Sequence, residues 1–476
     1  VAGIPGNRGE GARRVEGFVP GLPGGGGVRN LQTNNNTAMQ DQDTQKTTAM
    51  ASPNEAISIY KGLFQLANLT GTATLNGQIY FKWLPDAMVR FEGIHQHHEH
   101  DNPDHIAFFN HDEKTDIIIN GLLFGKGFIN QVNISKDTTI KGIIPGQAVI
   151  GEGNIPVDSV HFSIANFRRL ATTELIFTYE DWSISIKESK NFKDKEDNLN
   201  DQGGYFILHN GTITNKRNPV KLSEIQDLVH SFSTYLTFIN GRRCSLLFLN
   251  GVFNNEIIWQ DFTPRFTDQY KPVFSWAQKF NNEGLVKAWQ NFNKLWKNKS
   301  DQNFLSGAIH WYIEANGHAA FTEGSIVLTQ TALELIYNWL LIEQKRILIG
   351  RDAENISASN KIRLLLNQIN LPVKIPQNLK AILNNIKLFE TIKNEEPDGP
   401  DVFVQIRNII VHSQEEKRRK LMDIPSMSQY EALQIGLWYT ELCLLYILNF
   451  NESYRNRCLK ARWAGSDEEI VPWAKS

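Results

Sequence analysis

The hydrophobic pattern of this chain changes period near residue 220, and that change constrains the fold more than any other feature. From about residue 54 to 220 the apolar residues fall in short β-branched and aromatic runs bounded by turn residues. These are QIYFKWL, DIIINGLLFG, KGIIPGQAVIG, HFSIANF, ELIFTYEDWSISIK and GYFILHNGTIT. Runs of this kind predict strands. Asn-Gly at 76–77, 120–121 and 210–211 predicts hairpin turns between them. An antiparallel sandwich or barrel-like sheet is the natural reading, with KESKNFKDKEDNLNDQGG as a charged surface loop.

In LSEIQDLVHSFSTYLTFI the period becomes helical: Ile225, Leu228, Val229, Phe232, Leu236 and Ile239 share a face. RRCSLLFLNGVFNNEIIWQDF then predicts a hairpin turning at Asn250-Gly251, with Arg242 and Arg243 as flanking charges. FSWAQKF and LVKAWQNFNKLW read as helices. From about residue 301 onward GSIVLTQTALELIYNWLLIEQKRIL, NKIRLLLNQINL, NLKAILNNIKLFETIKN, PDGPDVFVQIRNIIVH and SQYEALQIGLWYTELCLLYILNF predict five helices, and their short connections favour an antiparallel bundle. The expected fold class is α+β multidomain. A β-rich, sandwich-like region at 54–300 precedes an all-α bundle at 301–476.

Residues 1–53 stand apart. They hold GIPG, GLPGGGG and a polar Asn/Gln/Thr run, with few large apolar groups to offset ordering entropy, so disorder is expected. The glycines keep no every-third spacing, which argues against collagen. The segment lacks the hydrophobic stretch of a secretory signal. The first residue is not methionine, so the chain is read as a fragment or as starting natively at Met39 or Met50.

Charge narrows the function. Forty-nine basic residues against 51 acidic give a net charge of −2, so any nucleic-acid contact must be local. Cys244, Cys443 and Cys458 are too few and scattered for a disulfide framework or a thiolate zinc site, and fit a reducing cytoplasm. No apolar run is read as spanning a bilayer. The closest, LWYTELCLLYILNF, is interrupted by Glu441 and reads as a core helix.

Chemistry concentrates in FVQIRNIIVH, residues 403–412. Val402, Phe403, Ile406, Ile409 and Ile410 form one inward stripe. Asn408 and His412 lie one turn apart on the outer side, and the Arg407 side chain can fold across to them. This trio suits metal-free RNA cleavage. A histidine can move the protons of the 2′-hydroxyl and the leaving oxygen. An arginine fork can hold the phosphate and its transition-state charge, and an asparagine can orient either group. One helix supplies one histidine while the reaction uses two proton transfers, so a symmetric dimer is expected to complete the site. The bland reading is a solvated helix face, because a string this short also arises by chance.

R-N-x-x-x-H late in a helical domain resembles the HEPN superfamily, whose signature is Arg, a polar residue, and His four to six positions after the Arg. TALELIYNWLLIEQ is similar to the HEPN helix that carries an acidic residue, with Glu334 at the matching position. The tail GLWYTELCLLYILNFNESYRNRCLKARWAGSDEEIVPW looks like the ending of ApeA-like bacterial HEPN proteins, where a β-rich domain precedes the bundle. STYLTFINGRRCSLLFLNGVF also resembles the YopA central domain family. The likeness covers about residues 220–476. It implies a metal-independent endoribonuclease without cofactor, active as a homodimer on RNA, in toxin–antitoxin or anti-phage defence, with a phage-derived or antitoxin partner. Arg407 and His412 would be the catalytic pair, Asn408 the accompanying polar residue and Glu334 the supporting acid, with the β-rich region as sensor. Because some HEPN proteins are not nucleases, a non-catalytic dimeric interaction module stays open.

Two other charge clusters compete. HQHHEHDNPDH, residues 95–105, includes His95, His97, His98 and His100. It suggests either a metal hydrolase site or a hydrophilic loop with adventitious metal affinity. EEKRRK at 415–420 reads as a solvated helix end or a phosphate-tracking patch. NESYRNR can supply cations near RNA, and Trp463 is expected to pack against the bundle.

Overall fold

The computed structural model describes residues 50–475, apart from 70, 96–112, 135–136, 170–173, 218, 279–281, 318–320, 391–394 and 413. The expectation of disorder over 1–53 therefore lies outside the described residues except at 50–53, where Met50 is buried.

The β-rich part contains two sheets. Six strands, β1 (Ile57–Asn68), β2 (Gly71–Lys82), β3 (Met88–His95), β4 (Thr115–Ile119), β5 (Leu122–Asn133) and β6 (Thr139–Ile144), close into an antiparallel barrel in the order β1-β2-β3-β6-β5-β4. Alternation fills it: Ala73, Leu75, Ile79 and Phe81 of β2 point inward beside Phe64, Phe91, Ile117 and Ile140. Seven further strands make an open antiparallel sheet: β7 (Val149–Gly151), β8 (Ser159–Ala165), β9 (Glu174–Tyr179), β10 (Trp182–Glu188), β11 (Ile207–Asn215), β12 (Leu246–Phe253) and β13 (Glu256–Asp261). Their order is β7-β13-β12-β8-β11-β10-β9. The barrel-like alternative is thus met by the first six strands, while the sandwich-like expectation gives way to a barrel plus an open sheet.

That sheet serves two cores. Ala165, Ile207, Leu247 and Phe248 extend the barrel core, with Phe248 edge-on to Phe81 and Trp83. Val160, Phe162, Ile164, Leu246 and Leu249 face helix α2 (Leu222–Asn240) and share one continuous core with the C-terminal helices.

Of the Asn-Gly pairs, Asn120-Gly121 is a turn, with φ of 50° and 80° between Ile119 and Leu122. The pairs at 76–77, 210–211 and 250–251 instead lie inside β2, β11 and β12. Glycine there answers a space constraint. A Cβ on Gly211 would stand 2.2 Å from the Phe162 ring, and one on Gly251 would stand 2.2 Å from the Trp259 ring. The β12–β13 hairpin turns at Asn254-Asn255, φ 49° and 66°, two residues that tolerate left-handed backbone. The stretch read as a charged loop contains helix α1 (Phe192–Gln202), fastened by Phe192 and Leu199 two turns apart.

The C-terminal part is helical, as expected. Helices α3 (Asn282–Trp296) and α4 (Lys299–Asn316) lead into α5 (Phe321–Tyr337), which continues as a π-helical segment over Asn338–Gln344. Next come α6 (Arg351–Asn355), α7 (Ala358–Gln368), α8 (Lys380–Asn384), α9 (Gly399–Val411), α10 (Glu415–Asp423) and α11 (Ser426–Ile447). A small hairpin of β14 (Ser453–Arg455) and β15 (Glu468–Ile470) follows. The described residues of FSWAQKF are not helical, and the described residues of NLKAILNNIKLFETIKN form only the single turn of α8 and a 3-10 turn. Among the described residues one helix, 321–344, is long and apolar enough to cross a membrane by length and composition. This revises the sequence reading, although 61% of its most apolar window is buried inside the protein.

The tail is held by an internal ion pair. Arg457 Nε donates to Glu441 Oε2 at 2.9 Å, Tyr312 Oη donates to Glu441 Oε1 at 2.6 Å, and both members of the pair are buried. Arg455 pairs with Asp467 at 2.9 Å. These cations therefore anchor the tail, whereas Trp463, expected to be buried, is 68% exposed. Arg242 and Arg243 are likewise not loose hairpin charges. Arg242 is buried, and Arg243 pairs with Asp268 and Glu314.

Candidate functional site: the outer side of helix α9

Helix α9 starts where its sequence says a helix should. Asp398 caps it, accepting from Asp401 N at 2.9 Å, and Pro400 sits in the first turn. Arg363 of α7 clamps Asp398 with two hydrogen bonds of 2.6 and 2.9 Å. Val402, Phe403 and Ile406 are fully buried, while Ile409 and Ile410 pack on the core from its edge. The stripe fixes the rotation of the helix and sends residues 407 and 408 to the other side.

There the structure joins three of the four expected residues. Arg407 Nη1 donates to Asn408 Oδ1 at 3.1 Å, and Arg407 Nη2 lies 3.8 Å from Glu334 Oε1 on α5. The Arg407 side chain is 26% exposed, so its fork is held from below and open above. Its Nε is buried without a hydrogen-bond partner among the described residues. The Arg407–Glu334 pair, at this distance and exposure, contributes about 0–1 kcal/mol to stability, so its main effect is to orient the fork.

His412 is exposed and sits just past the helix, with φ −95° and ψ 53°. Its N–H still reaches Asn408 O at 3.0 Å, which keeps it one turn from Asn408. No hydrogen bond or ion pair among the described residues ties its ring to Arg407, Asn408 or Glu334. The ring is therefore on the same end of the helix as the cluster and unengaged by it.

Sequence reasoning missed Gln330 and Tyr337. Gln330 Nε2 donates to Glu334 Oε1 at 3.2 Å. Burial, then the Glu334 carboxylate, push the Tyr337 phenol well above its ordinary value, so it stays protonated beside the cluster. The signal was present: 330, 334 and 337 are spaced i, i+4, i+7 and share a helix face. Lys361 lies over the Tyr337 ring at 5.3 Å.

EEKRRK forms its own exposed helix, α10, directly after the site. Arg419 pairs with Glu415 at 3.5 Å and Lys420 with Glu390 at 3.0 Å, so part of this basic run is neutralised locally. Of the alternative metal residues, His95 is buried at the end of β3, its Nδ1 3.2 Å from Thr74 O. His97, His98 and His100 lie outside the described residues, and the described residues contain no group of three or more metal-ligating side chains.

With this geometry in hand, comparison with known proteins defines a class. Residues 152–273 match the YopA central domain and residues 298–469 match the YopA C-terminal domain, so the chain carries YopA-like central and C-terminal domains. The first meets the expectation drawn from STYLTFINGRRCSLLFLNGVF. The second spans α4 through β15 and includes Glu334, Arg407, Asn408 and His412. A curated relative is the SPbeta prophage-derived uncharacterized protein YopA of Bacillus subtilis (strain 168). It is 27% identical over 441 residues, covering 88% of this chain and 95% of the relative. No solved structure matches.

Proposed function

We propose that this protein is a metal-independent endoribonuclease of the HEPN type, a toxin or anti-phage defence effector whose β-rich part acts as sensor. The observation that carries this reading is the partly exposed Arg407 fork, braced by Asn408 and Glu334 at the end of α9 where His412 stands exposed. The prophage origin of the Bacillus relative fits a role in conflict between phage and host.

The substrate 2′-hydroxyl attacks the adjacent phosphorus, and the bond to the 5′-oxygen breaks. One His412 accepts the 2′ proton. The His412 of a second copy gives a proton to the leaving oxygen. Arg407 binds the non-bridging oxygens, whose charge grows in the transition state. The products are a 2′,3′-cyclic phosphate and a 5′-hydroxyl.

Product-end analysis of RNA cut by the purified full chain in EDTA tests this. Cyclic-phosphate ends at an undiminished rate are expected. Ends carrying 3′-hydroxyl and 5′-phosphate, or loss of cutting in EDTA, would contradict it. A second reading is a non-catalytic dimeric interaction module. It is favoured by the same bonds from Arg407 to Asn408 and Glu334, which can be purely structural. That reading expects no cleavage by the dimer.

A further inference from the structure

We propose that a small phosphorylated anion binds in a cavity of about 300 Å³ into which Arg168, Arg242 and Arg455 converge. None of its lining residues belongs to the α9 face, so the proposal is independent of the ribonuclease reading.

The cavity forms where four parts of the fold meet. Arg168 follows β8, Asn240 and Arg242 end α2, Tyr270 and Ser275 lie on the segment after β13, and Arg455 comes from β14. Arg242 is buried, and backbone carbonyls hold its guanidinium beside Tyr270. Its Nε and Nη2 donate to Asn166 O at 3.1 and 2.9 Å, and its Nη1 donates to Lys271 O. Its guanidinium lies over the Tyr270 ring at 4.3 Å. Those contacts use three of its five N–H donors, and no carboxylate forms an ion pair with it among the described residues. Arg455 is paired with Asp467.

Arg168 is the anomaly. Its backbone N–H donates to Asn240 Oδ1 at 3.0 Å, but its guanidinium has no hydrogen bond or ion pair among the described residues. Burial, then the charges of Arg455 and Arg242, push it down to about 10. It remains a cation at neutral pH, held against two others. A single carboxylate, Glu196, also lines the cavity and offsets part of the Arg168 charge, and Arg169 is paired with Glu188 at 3.1 Å.

Arg168 is half-buried, and a cation without an ion-pair partner beside two like charges costs a fold stability. An anion in the cavity removes both penalties. Guanidinium forks match the geometry of phosphoryl oxygens, and Asn240 braces the wall by accepting from Arg168 N. The volume is at the small end for ligand pockets, which suits a phosphate-bearing small molecule.

The test uses the full chain with inorganic pyrophosphate as probe, followed by calorimetric titration and by thermal melting at constant ionic strength. Saturable binding and a rise in Tm are expected. Arg168→Met should melt higher than the parent without pyrophosphate, because an unpaired cation is gone. It should bind about 10- to 100-fold more weakly, the usual worth of a charged hydrogen-bond partner. Arg168→Lys keeps the charge without the fork and should fall between. No saturable binding to the parent at millimolar pyrophosphate would overturn the proposal. So would an equal Tm rise in Arg168→Met or, if that variant does not fold, in Arg168→Lys.

Discussion

Single residues carry the sharpest stability expectations. His209 of β11 is buried between the rings of Phe167 and Phe192, and neither ring nitrogen has a hydrogen-bond partner among the described residues. Burial, then the Lys195 charge, push its pKa down to about 3 from the ordinary 6.5. Between those values the unfolded chain binds the extra proton and the folded one does not. The stability is therefore fully present above about pH 6.5 and is lost as pH falls towards 3. Subtracting the pH–stability curve of His209→Leu from that of the parent should show a loss on the order of a few kcal/mol across this window. A flat difference would refute the assignment. Glu441 is the opposite case, a buried charge with a partner. Glu441→Gln should cost about 3–5 kcal/mol by stranding Arg457, while Glu441→Leu with Arg457→Met should cost less than either single change. Denaturant titration decides, and a Glu441→Gln loss under about 1 kcal/mol would sink this account of the tail. Glu441 was legible as a charge inside a core helix. Its partner was not, because Arg457 sits in a run that reads as surface cations and only the tail's return path buries it.

Elements were legible in proportion to their periodicity. Helices α2, α9 and α11 match their patterns because a sustained 3.6-residue stripe leaves few alternatives. Helix α1 was hidden because two apolar residues suffice to dock it, too few to register as a pattern. The three mid-strand Asn-Gly pairs misled for a different reason. A local dipeptide signals a tight backbone turn, but glycine also answers crowding by a neighbouring strand's backbone at Gly77 or by a ring at Gly211 and Gly251, which is a tertiary fact. Gly251→Ala should therefore destabilise the β12–β13 pair by about 1–3 kcal/mol through overpacking against Trp259. An unchanged melting temperature would show that the ring yields. The π-helical end of α5 was equally unreadable. There Trp339 donates to Asp301 Oδ1 at 2.8 Å and stacks on Phe304 at 4.5 Å, contacts from a distant helix that local sequence does not announce.

At the scale of the whole molecule, the helical bundle shares its core with one face of the seven-stranded sheet, and the barrel shares its core with the other. A change at the barrel thus has a packed route towards the bundle, as a sensor would use. The site was legible as a string but not as a constellation. Arg407 and Asn408 follow from the stripe of α9, and Glu334 from resemblance; Gln330 and Tyr337 share a helix face with Glu334, but that this face meets Arg407 is a tertiary fact. The composite-site proposal expects a dimer. Light scattering should give about twice the chain mass at micromolar concentration, where specific interfaces are commonly occupied. A strict monomer that still cuts RNA would end the two-histidine scheme. The most direct measurement is the RNA cleavage rate of purified His412→Ala. His412 is exposed and outside the apolar stripe, so the variant should fold like the parent. Its rate should fall by about 10² to 10⁴, the worth of general acid–base catalysis. Arg407→Lys should also fail, since an ammonium cannot present the planar fork. Cleavage by His412→Ala at the parent rate would contradict the account and leave Arg407, Asn408 and His412 as a solvated helix face.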